Sequence, residues 1–110
     1  MKITMLTPDK VIFQGNVVSV KVPGVMGQFQ VLKNHAPIVS ALDSGTVTLV
    51  AASGVHQVFD EESGEIVEVE EPGQQYTFRI EGGFIEVLNN EISLLVSSLV
   101  NGNNHAAAKG

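Results

Sequence analysis

The chain is organised around one stretch, residues 22–39, which reads Val22-Pro23-Gly24-Val25-Met26-Gly27-Gln28-Phe29-Gln30-Val31-Leu32-Lys33-Asn34-His35-Ala36-Pro37-Ile38-Val39. It follows neither the two-residue period of a strand nor the 3.6-residue period of a helix, and it divides two regions that do alternate. Its glycines and prolines specify the backbone path locally, because glycine permits left-handed conformations and proline fixes φ. We therefore predict a long, shaped loop whose apolar residues Phe29, Val31 and Leu32 fold back onto the core, and such loops commonly carry binding sites.

On both sides of this stretch, apolar and polar residues alternate with the period that is typical of half-buried β-strands. The predicted strands are Met1–Leu6, Val11–Phe13, Val18–Val22, Thr46–Val50, Val55–Phe59, Glu65–Val69, Tyr76–Ile80, Phe84–Leu88 and Ile92–Val96. Residues 37–42 stay open between strand and helix, because Ile38, Ala41 and Leu42 also fit helical spacing. About ten short strands separated by turn signals predict an all-β fold, a flattened sandwich or barrel.

The length of 110 residues corresponds to one domain, which we place at residues 1–97. Residues 98–110 are polar and rich in helix breakers, so we expect a short, flexible tail. Residues 55–71 predict a hairpin with a five-residue connection, Asp60–Gly64. Seven acidic residues fall between Asp60 and Glu71, and a solvated hairpin is favoured there over a charged docking surface.

Composition excludes several classes of protein. The formal net charge is −6, from 6 basic and 12 acidic residues, and no cluster of basic residues exists. Nucleic acid and anionic lipid are therefore poor candidate partners. The absence of cysteine excludes disulfides and thiolate metal sites. We predict no signal peptide at the N-terminus and no direct membrane insertion, because no run approaches the roughly 20 apolar residues of a membrane span.

The sequence offers little for catalysis. His35 is the one histidine near a structured loop, and no serine elbow or cysteine accompanies it. We expect its ring to bond the loop backbone or to touch a partner. Gly24 and Gly27 lack the Gly-Lys-Ser/Thr ending of a phosphate-binding loop, and the acidic segment lacks the spacing of a calcium loop. We therefore predict no catalytic residue, no metal ligand and no cofactor.

Three blocks of this sequence resemble the epsilon subunit of F-type ATP synthases. In the central block, residues 23–42, the family runs Pro-Gly, then Gly-Glu-Phe-Gly-Val-Leu-Pro-Gly-His-Ala-Pro, then an apolar segment. Thr7–Gly15 is similar to the family's opening Thr-Pro-x-x-x-x-Phe-x-Gly, and Gly82–Leu95 is similar to its closing hairpin. The blocks appear in the family's order and span Met1 to about Val96.

The resemblance implies a non-catalytic rotor subunit of the central stalk that couples proton translocation to ATP synthesis. It implies binding to the gamma subunit and to the ring of c subunits, no nucleotide binding, and a peripheral position at the cytoplasmic face of the bacterial inner membrane. It also implies that partner contacts lie close together at one ring-facing end of the sandwich. The implied contact residues are Gly27, Gln28, Phe29, His35, Ala36 and Pro37.

The chain departs from the family pattern in four places. Gln28 stands where the family has Glu, so we expect any salt bridge that the Glu makes to the c-ring to be lost or replaced by neutral hydrogen bonds. Lys33-Asn34 stands where the family has Pro-Gly. Asn tolerates the left-handed backbone that this turn requires, so we expect the turn to persist. The segment Ala51–Gln75 is longer than the usual connection, which makes the acidic hairpin an insertion that points into solvent, away from gamma. The family's C-terminal helical pair, which can inhibit ATP hydrolysis, has no counterpart before Gly110, so we expect no inhibition.

A second hypothesis comes from another class of protein, a stand-alone β-sandwich module that binds a small ligand with Val22–Ile38 as its mouth. It requires a concave, apolar, largely pre-formed pocket. The rotor hypothesis requires instead an exposed apolar or mixed patch on one sheet face. Val17 and Val50 are the extra apolar residues that the sequence suggests for such a patch.

Overall fold

The computed structural model describes residues 1–60, 62–70 and 72–99. These residues form ten strands and no helix, which confirms the all-β prediction, and accordingly none of them belongs to a helix that could cross a membrane. The strands are β1 (Lys2–Leu6), β2 (Val11–Gly24), β3 (Gly27–Leu32), β4 (Ile38–Leu42), β5 (Gly45–Ala51), β6 (His56–Asp60), β7 (Glu65–Val69), β8 (Gln75–Ile80), β9 (Gly83–Leu88) and β10 (Glu91–Val96).

Strand β2 is the longest strand and belongs to both halves of the fold. Its first part, residues 11–16, pairs with β1 and β6, and its second part, residues 17–24, pairs with β5 and β3. The sequence predicted two strands separated at residues 14–16, and this prediction is wrong. The strand continues through Gly15, which packs directly against the ring of His56, where a Cβ atom would collide. The glycine serves a close approach between strands rather than a turn.

The pairing register between β2 and β5 shifts between Val17 and Ser19. An irregularity of this kind changes which side chains point inward on either side of it. Val17 is buried, Val18 is 51% exposed, and Val20 and Val22 are buried again. The predicted common face of Val18, Val20 and Val22 is therefore wrong at Val18. Val17, which we expected on a solvated face, lies in the core.

The central stretch contains a complete strand, so the prediction of an irregular loop is wrong there. Strand β3 forms an antiparallel hairpin with β2, with Val31 opposite Val20. Val31 is buried and Phe29 half-buried, while Gln28 and Gln30 are exposed, which is the alternation of an ordinary strand. Strand β4 pairs with β9, which settles residues 38–42 as a strand rather than a helix.

Backbone pairing joins the strands in the order β1-β10-β9-β4-β2-β5-β8, with β3 and β6 on β2 and β7 on β6. Strand β1 also pairs with β2, so the sheet returns on itself and the flattened architecture is confirmed. Inward-facing side chains of facing strands fill the interior. The largest of these buried side chains belong to Ile3, Met5, Ile12, Phe13, Leu49, Phe78, Ile80, Ile85, Ile92 and Leu94.

Both hairpins predicted after the central stretch are present, but each connection is one residue shorter than predicted, because Asp60 belongs to β6 and Glu91 to β10. Strands β9 and β10 are joined by Asn89 (φ 52°) and Asn90 (φ 63°), and two positive φ angles are typical of a type I′ turn. Strands β6 and β7 pair from His56 opposite Val69 to Asp60 opposite Glu65.

The end of the described chain returns to the sheet. Leu99 forms an antiparallel bridge with Ile80, and the Ser98 hydroxyl donates to Glu81 Oε1 at 2.9 Å. Both residues fall in the segment that the sequence assigned to the tail, yet both contact the β domain. The remaining tail residues, 100–110, lie outside the described residues. The expectation that the tail does not inhibit hydrolysis concerns these residues and stays a prediction.

Candidate functional site

Three of the six predicted contact residues lie at the tip of the β2–β3 hairpin. We call Gly27, Gln28 and Phe29 the tip patch. Gln28 is exposed and pairs with Pro23, and Gly27 has a φ of 127° that side-chain-bearing residues rarely adopt. Phe29 is half-buried and its ring lies against Gly24, where a Cβ atom would meet it at 2.8 Å. The predicted inward anchor is therefore present, and the glutamine beside it is free to contact a partner.

The other three residues follow the far end of β3, and we call His35, Ala36 and Pro37 the histidine patch. The His35 N–H donates to Leu32 O at 3.1 Å, which closes the turn after the strand. Nδ1 of His35 lies 2.7 Å from Ala36 O, so this nitrogen carries the proton and donates to the carbonyl. The bond between the ring and the loop backbone is confirmed. Ala36 and Pro37 are exposed.

The tip patch and the histidine patch do not form one cluster. Gln28 lies opposite Pro23, whereas Leu32 lies opposite Ser19, so the two patches occupy opposite ends of β3. Leu32 is four residue steps along the extended strand from Gln28, which is about 13 Å at roughly 3.3 Å per step. The prediction that Gln28, Phe29 and His35 lie close together is wrong, because it treated an ordered strand as a folded-back loop.

An asparagine pair ties the turn before the histidine patch to the β9–β10 turn. Asn34 has a φ of 65°, so it adopts the left-handed conformation expected in place of glycine. Its backbone N–H donates to Asn90 Oδ1 at 2.7 Å, and Asn90 Nδ2 donates to Asn34 Oδ1 at 3.0 Å. Two left-handed asparagines, 56 positions apart in the chain, thus hold each other. The sequence indicated each turn separately but not the contact between them.

An exposed apolar row crosses the outward side of four neighbouring strands, β4, β9, β10 and β1. Ala41 lies opposite Phe84, Phe84 opposite Leu95, and Leu95 beside Leu6. Directly opposite residues point to the same side of a sheet with their Cβ atoms about 5 Å apart, so these side chains are in contact range. With Val39, they form what we call the outer apolar face. Phe84 is 54%, Leu95 50% and Val39 72% exposed.

The two ends of the outer apolar face differ in polarity. Near Gly83 it continues into a shallow apolar groove of about 500 Å³, lined by Leu6, Thr7, Pro8, Gly83, Leu95, Val96 and Ser97. Towards the Asn89-Asn90 turn the same side of the sheet carries the exposed carboxylates of Glu86 and Glu91. Within the described residues, no group of three histidine or acidic side chains could hold a metal ion.

Sequence reasoning missed the outer apolar face and proposed Val17 and Val50 instead. Val17 is in the core and Val50 is half-buried. A signal was present in β9 and β10, where the adjacent pairs Phe84-Ile85 and Leu94-Leu95 place apolar residues on both sides of a strand. Strands with one solvated side normally alternate instead.

Comparison with known proteins gives consistent results for sequence and structure. The family model described as "ATP synthase, Delta/Epsilon chain, beta-sandwich domain" matches residues 1–64. The ATP synthase epsilon chain of Chlorobium limicola is 38% identical over 98 residues, which cover 89% of this chain and 90% of the relative. The epsilon chain of Chlorobaculum tepidum is 37% identical over 95 residues, covering 86% of each chain.

Two solved assemblies contain chains of similar fold. One is the Euglena gracilis mitochondrial ATP synthase, OSCP/F1/c-ring, with a TM-score of 0.64, 20% identity, and coverage of 89% of this chain and 51% of that one. The other is the central stalk/c-ring of the Tetrahymena thermophila mitochondrial ATP synthase, with a TM-score of 0.64, 18% identity, and coverage of 92% and 66%. At these identities the likeness concerns the fold.

Proposed function

Because this chain belongs to the ATP synthase epsilon-chain family, we propose that it is a non-catalytic rotor subunit of an F-type ATP synthase. In this role it binds the gamma subunit and the c-ring and couples proton translocation to ATP synthesis. It does so as a peripheral subunit at the cytoplasmic face of the bacterial inner membrane, without binding nucleotide or a cofactor.

The outer apolar face is the observation that carries this proposal. Large side chains at Phe84 and Leu95 are half exposed in adjacent strands, next to an apolar groove. A contiguous exposed apolar patch of this kind marks a protein interaction site. We assign this surface to gamma, because burying it requires a partner of matching apolar character.

The six predicted contact residues remain proposed contacts, but they form two surfaces instead of one. The tip patch lies at the same end of the fold as the apolar row, since Leu42 pairs with both Gly24 and Gly83. The histidine patch lies at the other end, beside Asn90. The two patches are therefore expected to contact different subunits. Gln28→Ala and His35→Ala should each weaken one contact and leave protein stability nearly unchanged.

The ligand-binding alternative has no comparable support. The depressions described on this surface are lined by residues outside 22–38. The stretch proposed as a mouth is instead occupied by strand β3 and two tight turns.

The decisive experiment measures binding of the purified chain to gamma. Phe84→Glu should weaken binding at least about tenfold, because a carboxylate on an apolar interface loses solvation without gaining a partner. Val55→Glu is the matched control, since Val55 is also 54% exposed but precedes β6, away from the outer apolar face. Circular dichroism should give the same fold for both variants. If Phe84→Glu binds gamma as tightly as Val55→Glu does, the outer apolar face is not the gamma surface.

A further inference from the structure

The β6–β7 hairpin ends the sheet with an unpaired strand edge. Within the described part of the chain, β7 pairs with β6 alone. Its register with β6 is continuous over Glu65–Val69 and no bulge turns the edge away. The outer edge of β7 therefore presents backbone N–H and C=O groups in a regular strand geometry.

Both sides of β7 carry an exposed apolar residue. Ile66 is 42% exposed and lies opposite Phe59, and Val67 is 37% exposed and lies opposite Val58. Each of these residues has a cross-strand neighbour on the β6 side and an open position on the other side. An added strand would supply the missing neighbours and remove both side chains from water.

Strand β6 is held in place by contacts at both of its ends, so the edge is pre-organised. His56 is completely buried and its Nε2–H donates to Asn16 O at 2.6 Å. Near the turn, Lys10 Nζ lies 4.2 Å from the centroid of the Phe59 ring. A strand that is already ordered loses little conformational entropy when it binds.

Charge decides which strand can pair with this edge. Glu65, Glu68 and Glu70 are all exposed, and β7 contains neither lysine nor proline. A second copy of the chain would bring these carboxylates against each other, and like charges near one another across strands are destabilising. A basic strand would instead neutralise them, so the same glutamates repel the chain's own copy and attract a basic partner.

We propose that the free edge of β7 binds an extended basic segment of another protein by strand addition. In antiparallel pairing, basic residues lie opposite Glu65 and Glu68, and apolar residues lie opposite Ile66 and Val67. The recognised pattern is therefore basic-apolar-apolar-basic. This interaction goes beyond the rotor role and does not depend on it, because it uses none of the three surfaces assigned to that role.

The test uses the full chain and the labelled peptide Thr-Thr-Lys-Val-Ile-Lys-Thr-Thr, with binding followed by fluorescence anisotropy. We expect saturable binding that weakens about tenfold between roughly 50 and 300 mM salt. Backbone amide shifts on binding should centre on residues 65–69. A peptide with glutamate in place of both lysines should not bind, and one N-methylated at alternate residues should bind at least about tenfold more weakly because its edge donors are blocked.

Two double variants locate the interaction. Glu65→Lys/Glu68→Lys should abolish binding, whereas Glu86→Lys/Glu91→Lys makes the same change in net charge on the outward side of β9 and β10 and should leave most of it. If both double variants lose the same affinity for the peptide, or if the N-methylated peptide binds as tightly as the unmodified one, the binding is due to general electrostatic attraction. Either result would overturn the proposal. Absence of saturable binding would overturn it as well. If the chain instead forms a concentration-dependent dimer, and Glu65→Lys/Glu68→Lys strengthens or removes that dimer, then a second copy of the chain occupies the β7 edge. This outcome would also overturn the proposal of a basic partner.

Discussion

The asparagine pair makes a quantitative prediction, because its two hydrogen bonds can be removed separately. Asn90→Gly removes both bonds, since Asn90 supplies the acceptor at 2.7 Å and the donor at 3.0 Å. Asn34→Gly removes only the second bond, because the backbone N–H of residue 34 remains. Glycine is the correct replacement at both sites, since φ is 65° at Asn34 and 63° at Asn90, and alanine would add the cost of a left-handed backbone.

The expected magnitudes follow from the bond count. A net contribution of about 0.5–1 kcal/mol per solvent-exposed hydrogen bond gives about 0.5–1 kcal/mol for Asn34→Gly and about 1–2 kcal/mol for Asn90→Gly. The double variant should cost no more than Asn90→Gly alone, because that substitution already breaks both bonds. Asn89→Gly is the matched control. Its φ is 52°, and Asn89 makes no side-chain hydrogen bond among the described residues, so its change should stay within about 0.5 kcal/mol.

Urea unfolding followed by circular dichroism measures all four variants. With an m-value of about 1–3 kcal/mol/M for a domain of this size, Asn90→Gly should lower the midpoint by roughly 0.5–1 M. The reasoning fails if Asn90→Gly costs no more than Asn89→Gly. It also fails if the costs of the two single variants add in the double variant, since additivity would mean that the two side chains act independently.

Three further changes test the packing at Gly83 and Phe29 and the role of the β6–β7 turn. Gly83→Ala should destabilise the domain by about 1–3 kcal/mol, because its Cβ would collide with the backbone of Leu95 in the β9–β10 ladder, and thermal unfolding measures the loss. Phe29→Ala should cost about 2 kcal/mol in urea unfolding, since its half-buried ring loses its contact with Gly24, and a cost near zero would contradict the anchoring role. Replacing residues 61–64 by an Asn-Gly turn should preserve folding and gamma binding, and loss of gamma binding in that variant would show that the hairpin is itself a docking element for gamma.

The sequence predicted strands well wherever one side of a strand is solvated. In β8, Tyr76, Phe78 and Ile80 alternate with less buried residues, and all three lie in the core as their spacing indicated. The prediction failed where the pattern depends on a partner strand. The shift between Val17 and Ser19 is a property of the β2–β5 pair, and nothing in the order of residues 17–22 distinguishes Val17 from Val18 as the buried residue.

The same limit explains the misassigned central stretch. Glycines and prolines mark places where the backbone is unusual, but they do not say whether a strand lies between them. Val31 is buried where it lies opposite Val20 of β2, whereas Leu32 is 53% exposed although it is apolar. Burial in such a segment is decided by pairing with distant residues, so a local pattern cannot fix the distance between Gln28 and His35.

The departure of Lys33-Asn34 from the family pattern illustrates how a local substitution acquires a longer-range consequence. A glycine at position 34 would adopt the backbone conformation of the turn, but it has no side-chain oxygen to accept the hydrogen bond from Asn90 Nδ2. The asparagine adds this second bond to the bond that the backbone N–H of residue 34 already donates to Asn90, so the loop that presents His35 is held to the turn between β9 and β10 by two hydrogen bonds instead of one. Those two strands also present Phe84 and Leu95, the centre of the outer apolar face. The histidine patch and the proposed gamma surface are thus attached to the same β9–β10 hairpin.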